Sequence, residues 1–191
     1  MERFHSFQAI RFRKYLVLST KANGIDPSAE LVELAITDHD GHVLFNSLIK
    51  PEQALHSGAL HRHRITNSML DTAPSWPVVW PAVEAMIKDD ICVMWYAEFH
   101  LRLMLQTMQR YQLEVPDCFG TEGFFCAMRD YHLWQGSDEY GAKQIFPLSH
   151  ALEREKLMAL QQPSALGDCM GIVSLTNHIE RQQKIMMGLG V

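Results

Sequence analysis

The sequence predicts an α/β domain whose mixed sheet joins a three-stranded antiparallel meander to at least one parallel strand. Three strand-like runs occupy the first fifty residues, a fourth lies between two helical segments, and the remainder is mainly helical. This order is typical of an α/β fold with a crossover connection. With no internal repeat, we expect one domain over 1–191, comprising a basic N-terminal segment 1–14, a core of about 14–180 and a C-terminal tail 181–191.

The meander is predicted from three apolar runs and the turns between them. Residues 15–19, "YLVLS", suit a buried strand, and Gly24 and Pro27 mark the loop that follows. The runs "LVELAITD" (31–38) and "HVLFNSLIKP" (42–51) flank "HDG", which is a hairpin signal. The three runs therefore predict consecutive antiparallel strands.

The rest of the chain alternates helical and apolar segments. Ser75 is a candidate N-cap for a helix in "PSWPVVWPAVEAMIKDD", whose prolines are tolerated in the first turns. The run "ICVMWY" predicts a buried strand, and "AEFHLRLMLQTMQRY" has helical spacing. Three more helices are predicted in "GFFCAMRDYHLW", "LSHALEREKLMAL" and "ALGDCMGIVSLTNHIERQQKI".

The composition is that of an ordinary globular protein. Hydrophobic residues make up 47% of the chain and charged residues 20%. The net charge of −5 argues against broad adhesion to nucleic acid but leaves room for a local groove. No apolar run reaches the roughly 18 residues of a membrane span, and the N-terminus lacks an apolar signal core. We therefore expect a cytoplasmic protein with no membrane partner.

The two basic clusters and the cysteines can each be interpreted as structural or as functional residues. Arg62 and Arg64 in "HRHRIT" could form a binding patch or a solvated surface, and the same holds for the cluster of Arg11, Arg13 and Lys14. His61 and His63 would share one face of an extended segment, but two ligands are too few for a closed metal site. The cysteines contain no CxxC pair, so we expect buried or idle thiols at Cys92, Cys118, Cys126 and Cys169.

Five stretches in order resemble one family. They are "LVLSTKANG", "HVLFNSLIKP", "HRHRITNSMLDTAPSW", "VMWYAEFHLRLM" and "PSALGDCMGIVSL". Together they resemble the strand with its Asp-x-Glu-Thr turn, the third strand with Lys-Pro, and the His-Gly-Ile-Thr, His-Asn-x-x-Phe-Asp and His-x-Ala-Leu-x-Asp-Ala motifs of the DEDDh exonucleases. These are the DnaQ-like 3′→5′ exonucleases of the ribonuclease H-like fold. The resemblance covers roughly residues 14 to 180 and implies that fold.

The catalytic positions of that family are largely replaced here. Ser19 stands at the first Asp position, Lys21 at the Glu position and His100 at the second Asp position. Pro163 stands at the general-base position, and Asp168 alone matches. At the cleft, Trp95 and Tyr96 replace His and Asn, and in the third motif Arg64 replaces Gly.

These replacements remove the chemistry that the resemblance implies. The family uses two divalent ions, and Mg²⁺ requires oxygen ligands anchored by carboxylates. An ammonium about 4 Å from a dication is repelled by about 8 kcal/mol at an effective dielectric constant of 20. His100 offers nitrogen, which suits transition metals better than Mg²⁺, and Pro163 cannot act as a base. The sequence therefore favours a non-enzyme without a cofactor.

Several side chains keep alternative interpretations. Lys21 could pair with Asp168 in the former metal site, point into solvent or hold a phosphate. His100 could be a packed, hydrogen-bonded residue or a ligand. Trp95 and Tyr96 could stack a base of single-stranded nucleic acid or fill space that the metals leave.

The leading hypothesis is a catalytically inactive binding or scaffolding subunit for a protein complex or a nucleic-acid strand. The two basic clusters, with the fold, favour nucleic acid, whereas the acidic net charge and the apolar tail "KIMMGLGV" favour a protein. A homodimer is expected by analogy only. The alternative is an active nuclease using Mg²⁺ or Mn²⁺, with Asp168 joined by rearranged ligands from Glu98, Asp26 or Glu30.

Overall fold

A five-stranded mixed sheet forms the centre of the domain. The computed structural model describes residues 14–55, 58, 62–120, 123–136, 145–158, 163–186 and 188. The strands are β1 (Leu16–Ala22), β2 (Leu31–Asp38), β3 (Val43–Leu48), β4 (Cys92–Met94) and β5 (Phe124–Cys126). Their order is β3-β2-β1-β4-β5. β1 and β3 are antiparallel to β2, β4 is parallel to β1, and β5 is parallel to β4, which confirms the predicted meander and crossover.

Six α-helices with described bounds flank the sheet. They are α1 (Asn67–Leu70), α2 (Trp76–Ile87), α3 (Ala97–Arg110), α4 (Ala127–Trp134), α5 (Leu148–Arg154) and α6 (Ala165–Met186). Ser75 occupies the N-cap position of α2, as predicted, although its side chain makes no capping hydrogen bond. The short helix α1 was not predicted, and its cap is Thr66, whose side chain accepts from the Met69 N–H.

Two predicted helices have different bounds. Phe124–Cys126 forms β5 instead of the first turn of a helix, because short apolar runs have no decisive period and aromatic residues fit a pleated strand. α5 ends at Arg154, earlier than predicted, since Lys156 adopts a left-handed backbone with φ of 56°. In the C-terminal tail, residues 181–186 continue α6. Arg11 and Arg13 lie outside the described residues, and Lys14 is exposed.

The alternation of β1 sends its side chains to two separate cores. Leu16 and Leu18 face a core that contains residues of α2 and α3. Val17 faces a second core built with α4, α5 and α6. The same alternation continues to the carboxyl end of β1. Ser19 and Lys21 lie on the same face as Val17, and Thr20 lies on the same face as Leu18. The end of this strand therefore reaches two helices at once, α6 on one face and α3 on the other.

Candidate functional site

Lys21 and Asp168 form an ion pair at the carboxyl end of β1. Lys21 Nζ lies 2.7 Å from Asp168 Oδ2, and both side chains are partly buried. The Ser19 hydroxyl donates to the same carboxylate oxygen over 3.0 Å. This geometry confirms the ion pair as the interpretation of Lys21 among those considered. It follows from β1 alternation, which turns Ser19 and Lys21 toward the first turn of α6.

Glu33 is a third charged residue at this site, and sequence reasoning missed it. It is directly opposite Lys21 in the β1–β2 register and is 7% exposed. Its Oε2 accepts the Ala165 N–H at the start of α6 over 2.8 Å. Burial raises the pKa of Glu33, while the hydrogen bond and Lys21 oppose that rise. An acid in the middle of the apolar run "LVELAITD" was the signal that could have identified it.

His100 is a packed, hydrogen-bonded residue on the opposite face. It is 6% exposed, its Nε2 donates to the Trp95 carbonyl over 2.9 Å, and its Nδ1 lies 2.7 Å from Thr20 Oγ1. Because a carbonyl only accepts, Nε2 carries the proton and Nδ1 accepts from the Thr20 hydroxyl. Burial is the main reason that the pKa of His100 falls to about 4. The imidazole is therefore neutral near pH 7, and both its nitrogens are occupied.

The two aromatic residues after β4 have different environments. Trp95 is 7% exposed, packs on Tyr131 with ring centroids 5.9 Å apart, and donates from Nε1 to the Phe146 carbonyl over 2.7 Å. Trp95 is therefore a buried core residue and does not line the cavity beside the ion pair. Tyr96 is only partly buried, and its ring stacks on Phe99 with centroids 6.2 Å apart at an interplanar angle of 12°.

A cavity of about 430 Å³ opens beside the ion pair. Its lining includes the charged residues Lys21, Asp168 and Arg62 and the apolar residues Phe99 and Ile25. The structure therefore brings Arg62 to the site that contains Lys21. The same space contains two cations, two carboxylates, from Asp26 and Asp168, and apolar surface.

The remaining residues predicted for the site either lie away from the cavity or have no group free to bind a ligand. Arg64 is exposed, does not line the cavity, and has a left-handed φ of 59°, a conformation that the Gly of the resembled motif adopts readily. Pro163 lies just before α6 and has no titratable group. His61 lies outside the described residues, and Arg62 and His63 are helical instead of extended. His63 uses both nitrogens, donating from Nε2 to the Ala22 carbonyl and accepting the Ile65 N–H at Nδ1.

The three candidate replacement ligands have different environments. Glu30 is fully buried, and its two oxygens accept the N–H groups of Glu52 and Gln53. Glu98 is exposed and does not line the cavity. Asp26 does line it, and its Oδ1 also accepts the Ser28 N–H.

The residues present do not fit a pair of magnesium ions. The ammonium of Lys21 contacts the one carboxylate that matches the family's ligands, and Ser19 donates a proton toward that same oxygen. A Mg²⁺ ligand must offer lone pairs, whereas these groups direct positive charge and a hydroxyl proton at the site. His100 has no free nitrogen to contribute.

A cluster of possible metal ligands lies away from the cavity, in the hairpin between β2 and β3. Asp38, Asp40 and His42 lie close enough to hold a cation, with ligand atoms within 4.8 Å of one another. However, Asp38 Oδ1 is already satisfied by the N–H groups of the other two residues, and such exposed hairpin clusters are common without a metal ion. All four cysteines are free thiols, as expected. Among the described residues, no helix is long and apolar enough to cross a membrane.

Comparison with known proteins identifies the family. The RNase_T exonuclease family model matches residues 20–170. The chain is 32% identical over 123 residues to the uncharacterized exonuclease CP81 of Escherichia phage 186, a match that covers 63% of this chain and 63% of that protein. The match thus spans less than two thirds of this curated relative.

Solved structures show the same fold at low identity. Cell-death related nuclease 4 (CRN-4) superposes with a TM-score of 0.67 and 18% identity, over 93% of this chain and 65% of that one. A 3′-exonuclease studied for 3′-end specific recognition of histone mRNA stem-loop superposes with a TM-score of 0.72 and 15% identity, over 94% of this chain and 67% of that one. The chain therefore belongs to the RNase_T exonuclease family and has the DnaQ-like, ribonuclease H-like fold of the DEDDh exonucleases.

Proposed function

We propose that this exonuclease-like domain is a non-catalytic binding subunit whose cleft holds the end of a nucleic-acid strand without hydrolysing it. The observation that carries the proposal is the 2.7 Å ion pair between Lys21 and Asp168. A fixed ammonium replaces mobile dications as the positive charge of the cleft. At about 4 Å it repels a dication by about 8 kcal/mol at an effective dielectric constant of 20, so metal binding must first disrupt the pair.

The described histidines of the cleft are not placed to activate water as a general base. Such a base needs a free lone pair within hydrogen-bond reach of the water and a pKa near the working pH. His63 and His100 line the cavity, and all four of their ring nitrogens have partners. The pKa of His100 is also lowered to about 4 by burial, so its basicity is weak. These contacts support binding without hydrolysis.

The lining of the cavity supports a nucleic-acid ligand. Arg62 is exposed, and Lys21 keeps part of its surface open to the cavity while it pairs with Asp168. Cationic side chains beside the apolar Phe99 and Ile25 match the phosphate and base of a nucleotide, respectively. The net charge of −5 disfavours coating of long duplexes and is compatible with a contact restricted to this cleft.

The alternative is an active nuclease with rearranged ligands around Asp168. Asp26 favours it, because this carboxylate lines the same cavity, and Glu33 places another acid beside the ion pair. The mechanism would require Lys21 to leave Asp168 and two acids to converge on one ion. The experiment below distinguishes this alternative directly.

The purified protein is expected to leave nucleic acid intact. Labelled single-stranded and duplex DNA and RNA, incubated with Mg²⁺ or Mn²⁺, should keep their full length on denaturing gels, because no two-metal site forms. Anisotropy binding curves should be the same in Mg²⁺ and in EDTA at matched ionic strength. Shortening from the 3′ end that disappears in Asp168→Ala would contradict the proposal, whereas shortening that persists in Asp168→Ala indicates a contaminating nuclease.

A protein partner is the second ligand class that an observation favours. Ile185 is 53% exposed and Met186 is 69% exposed at the end of α6, so this end of the helix presents apolar surface. Co-purification with a protein that persists at high salt would support this role. A nucleic-acid complex would instead weaken steeply as salt increases.

A further inference from the structure

The backbone of Tyr96 has a conformation that few non-glycine residues adopt. This residue is the N-cap of α3, with φ of 63° and ψ of 61° in the left-handed region. An aromatic residue there is strained, whereas glycine or asparagine adopts this backbone at lower free energy. Strained backbone concentrates at functional positions. A tyrosine with this backbone therefore carries an energetic cost to the fold.

The ring of Tyr96 is the first member of a regular row on α3. It stacks nearly parallel on Phe99, and the guanidinium of Arg102 lies 5.7 Å from the centre of the Phe99 ring. The three residues are spaced three apart, so they occupy neighbouring positions on one helical face. Both rings are partly buried and Arg102 is exposed. We name Tyr96, Phe99 and Arg102 the α3 row.

The α3 row is continuous with the cleft. Phe99 is both its central member and part of the wall of the 430 Å³ cavity, together with Lys21 and Arg62. Among the described residues, none forms a hydrogen bond with the Tyr96 hydroxyl. A chain that leaves the cavity past Phe99 therefore meets an aromatic ring on one side and the charge of Arg102 on the other.

We propose that the α3 row binds unpaired bases of single-stranded nucleic acid as the strand leaves the cleft. A base stacks with the ring of Tyr96, and Arg102 contacts the adjacent phosphate while resting on Phe99. This inference rests on the proposed function, since it requires a strand in the cleft. Planar rings and a guanidinium are the groups that bind single strands without sequence preference, because every base has a π-face. The positive charge of Arg102 complements phosphate.

The test compares variants that separate stacking from folding. Anisotropy titrations in EDTA use a labelled oligothymidine and an abasic oligonucleotide of the same length, which keeps the phosphates and removes the bases. Tyr96→Asn should weaken binding of oligothymidine about tenfold, within the range expected for one stacked base. It should not change binding of the abasic strand. Its melting temperature should stay within about 3 °C of the wild type, because relief of strain offsets the lost ring contacts.

Two more variants complete the design. Tyr96→Phe keeps the aromatic face and should retain wild-type affinity. Weaker binding by this variant would mean that the hydroxyl, and not the ring, makes the contact. Arg102→Ala should weaken binding of both strands and reduce the salt dependence, whereas Lys88→Ala, which removes an exposed cation after α2, should do neither.

The outcomes are distinguishable. Equal affinity of Tyr96→Asn and wild type for oligothymidine overturns the stacking role but leaves a non-catalytic, strand-binding cleft intact. Failure of the wild type to bind either strand overturns both proposals. Metal-dependent cleavage that Asp168→Ala abolishes overturns the proposed function alone, provided that Tyr96→Asn still weakens binding in EDTA.

Discussion

Replacing Lys21 by glutamate is expected to lower the free energy of unfolding of the metal-free protein by about 3 kcal/mol. The substitution removes the counterion of Asp168 and puts a third carboxylate beside Asp168 and Glu33. Leaving a buried charge unpaired costs about 3–5 kcal/mol, and the partial exposure of Asp168 favours the lower end of that range. Chemical denaturation in EDTA measures the effect. The matched control, Lys88→Glu, changes an exposed lysine and should alter the free energy by about 0.5 kcal/mol or less.

The same Lys21→Glu variant is expected to gain dependence on a divalent cation. Three carboxylates offer the oxygen ligands that Mn²⁺ or Mg²⁺ prefers, so Mn²⁺ at a hundred times its dissociation constant should restore about 2.7 kcal/mol. The wild type should unfold identically in Mn²⁺ and EDTA. Stabilisation of the wild type by Mn²⁺ that Asp168→Ala abolishes would show that the ion pair opens readily and would favour the active-nuclease alternative.

Replacing Asp130 by asparagine is expected to stabilise the protein at pH 8. Asp130 is buried in α4, and none of the described residues donates a hydrogen bond to its Oδ2. Desolvation by burial raises its pKa from the usual 3.8 to about 7, and Arg129 opposes the rise only in part. Ionisation of this carboxyl in the folded state is therefore unfavourable. The difference in pKa corresponds to about 4 kcal/mol as an upper bound.

The pH dependence of this effect has a definite sign. Between about pH 4 and pH 7 the folded protein holds a proton on Asp130 that the unfolded chain releases, so the free energy of unfolding falls as pH rises. The amide of the Asp130→Asn variant does not titrate in this range. The difference between variant and wild type should therefore be small below pH 4, grow through this window and level off above pH 7. Denaturation at a series of pH values measures it, with the exposed Asp89→Asn as control. A difference that is independent of pH would contradict the assignment.

The fold was largely predictable because its signals are local. Apolar runs and the "HDG" turn identify the meander, and the helical spacing of 97–111 identifies α3. β5 was wrongly assigned to a helix because three aromatic or apolar residues carry no period, and only pairing with β4 settles their conformation. α1 was missed because four residues are too few to show periodicity.

The site was predictable as chemistry but not as geometry. The sequence predicts that Ser19, Lys21, His100 and Pro163 stand at the family's ligand and base positions, with Asp168 as the one matching acid. Which of these residues meet could only be proposed. Glu33 was missed because an acid within a strand can face solvent or a buried partner, and the helix packed above the sheet decides which.

The two residues of the "WY" pair show the same division. In sequence Trp95 and Tyr96 are adjacent aromatic side chains with identical interpretations. In the structure Trp95 donates to Phe146, fifty-one residues away, and is buried, whereas Tyr96 is only partly buried and has a left-handed backbone. One residue is thereby assigned to the core, and the other becomes available for the proposed base contact.

By itself the sequence determined the ribonuclease H-like fold and the residue types at the positions that resemble the family's metal ligands, because strand periodicity and side-chain chemistry are properties of short segments. Only the tertiary structure decided that Lys21 neutralises Asp168, 147 residues away, that Glu33 lies opposite that lysine, and that Arg62 but not Arg64 lines the cavity. Such contacts depend on how α3 and α6 pack on opposite faces of one sheet, and no short segment contains that information.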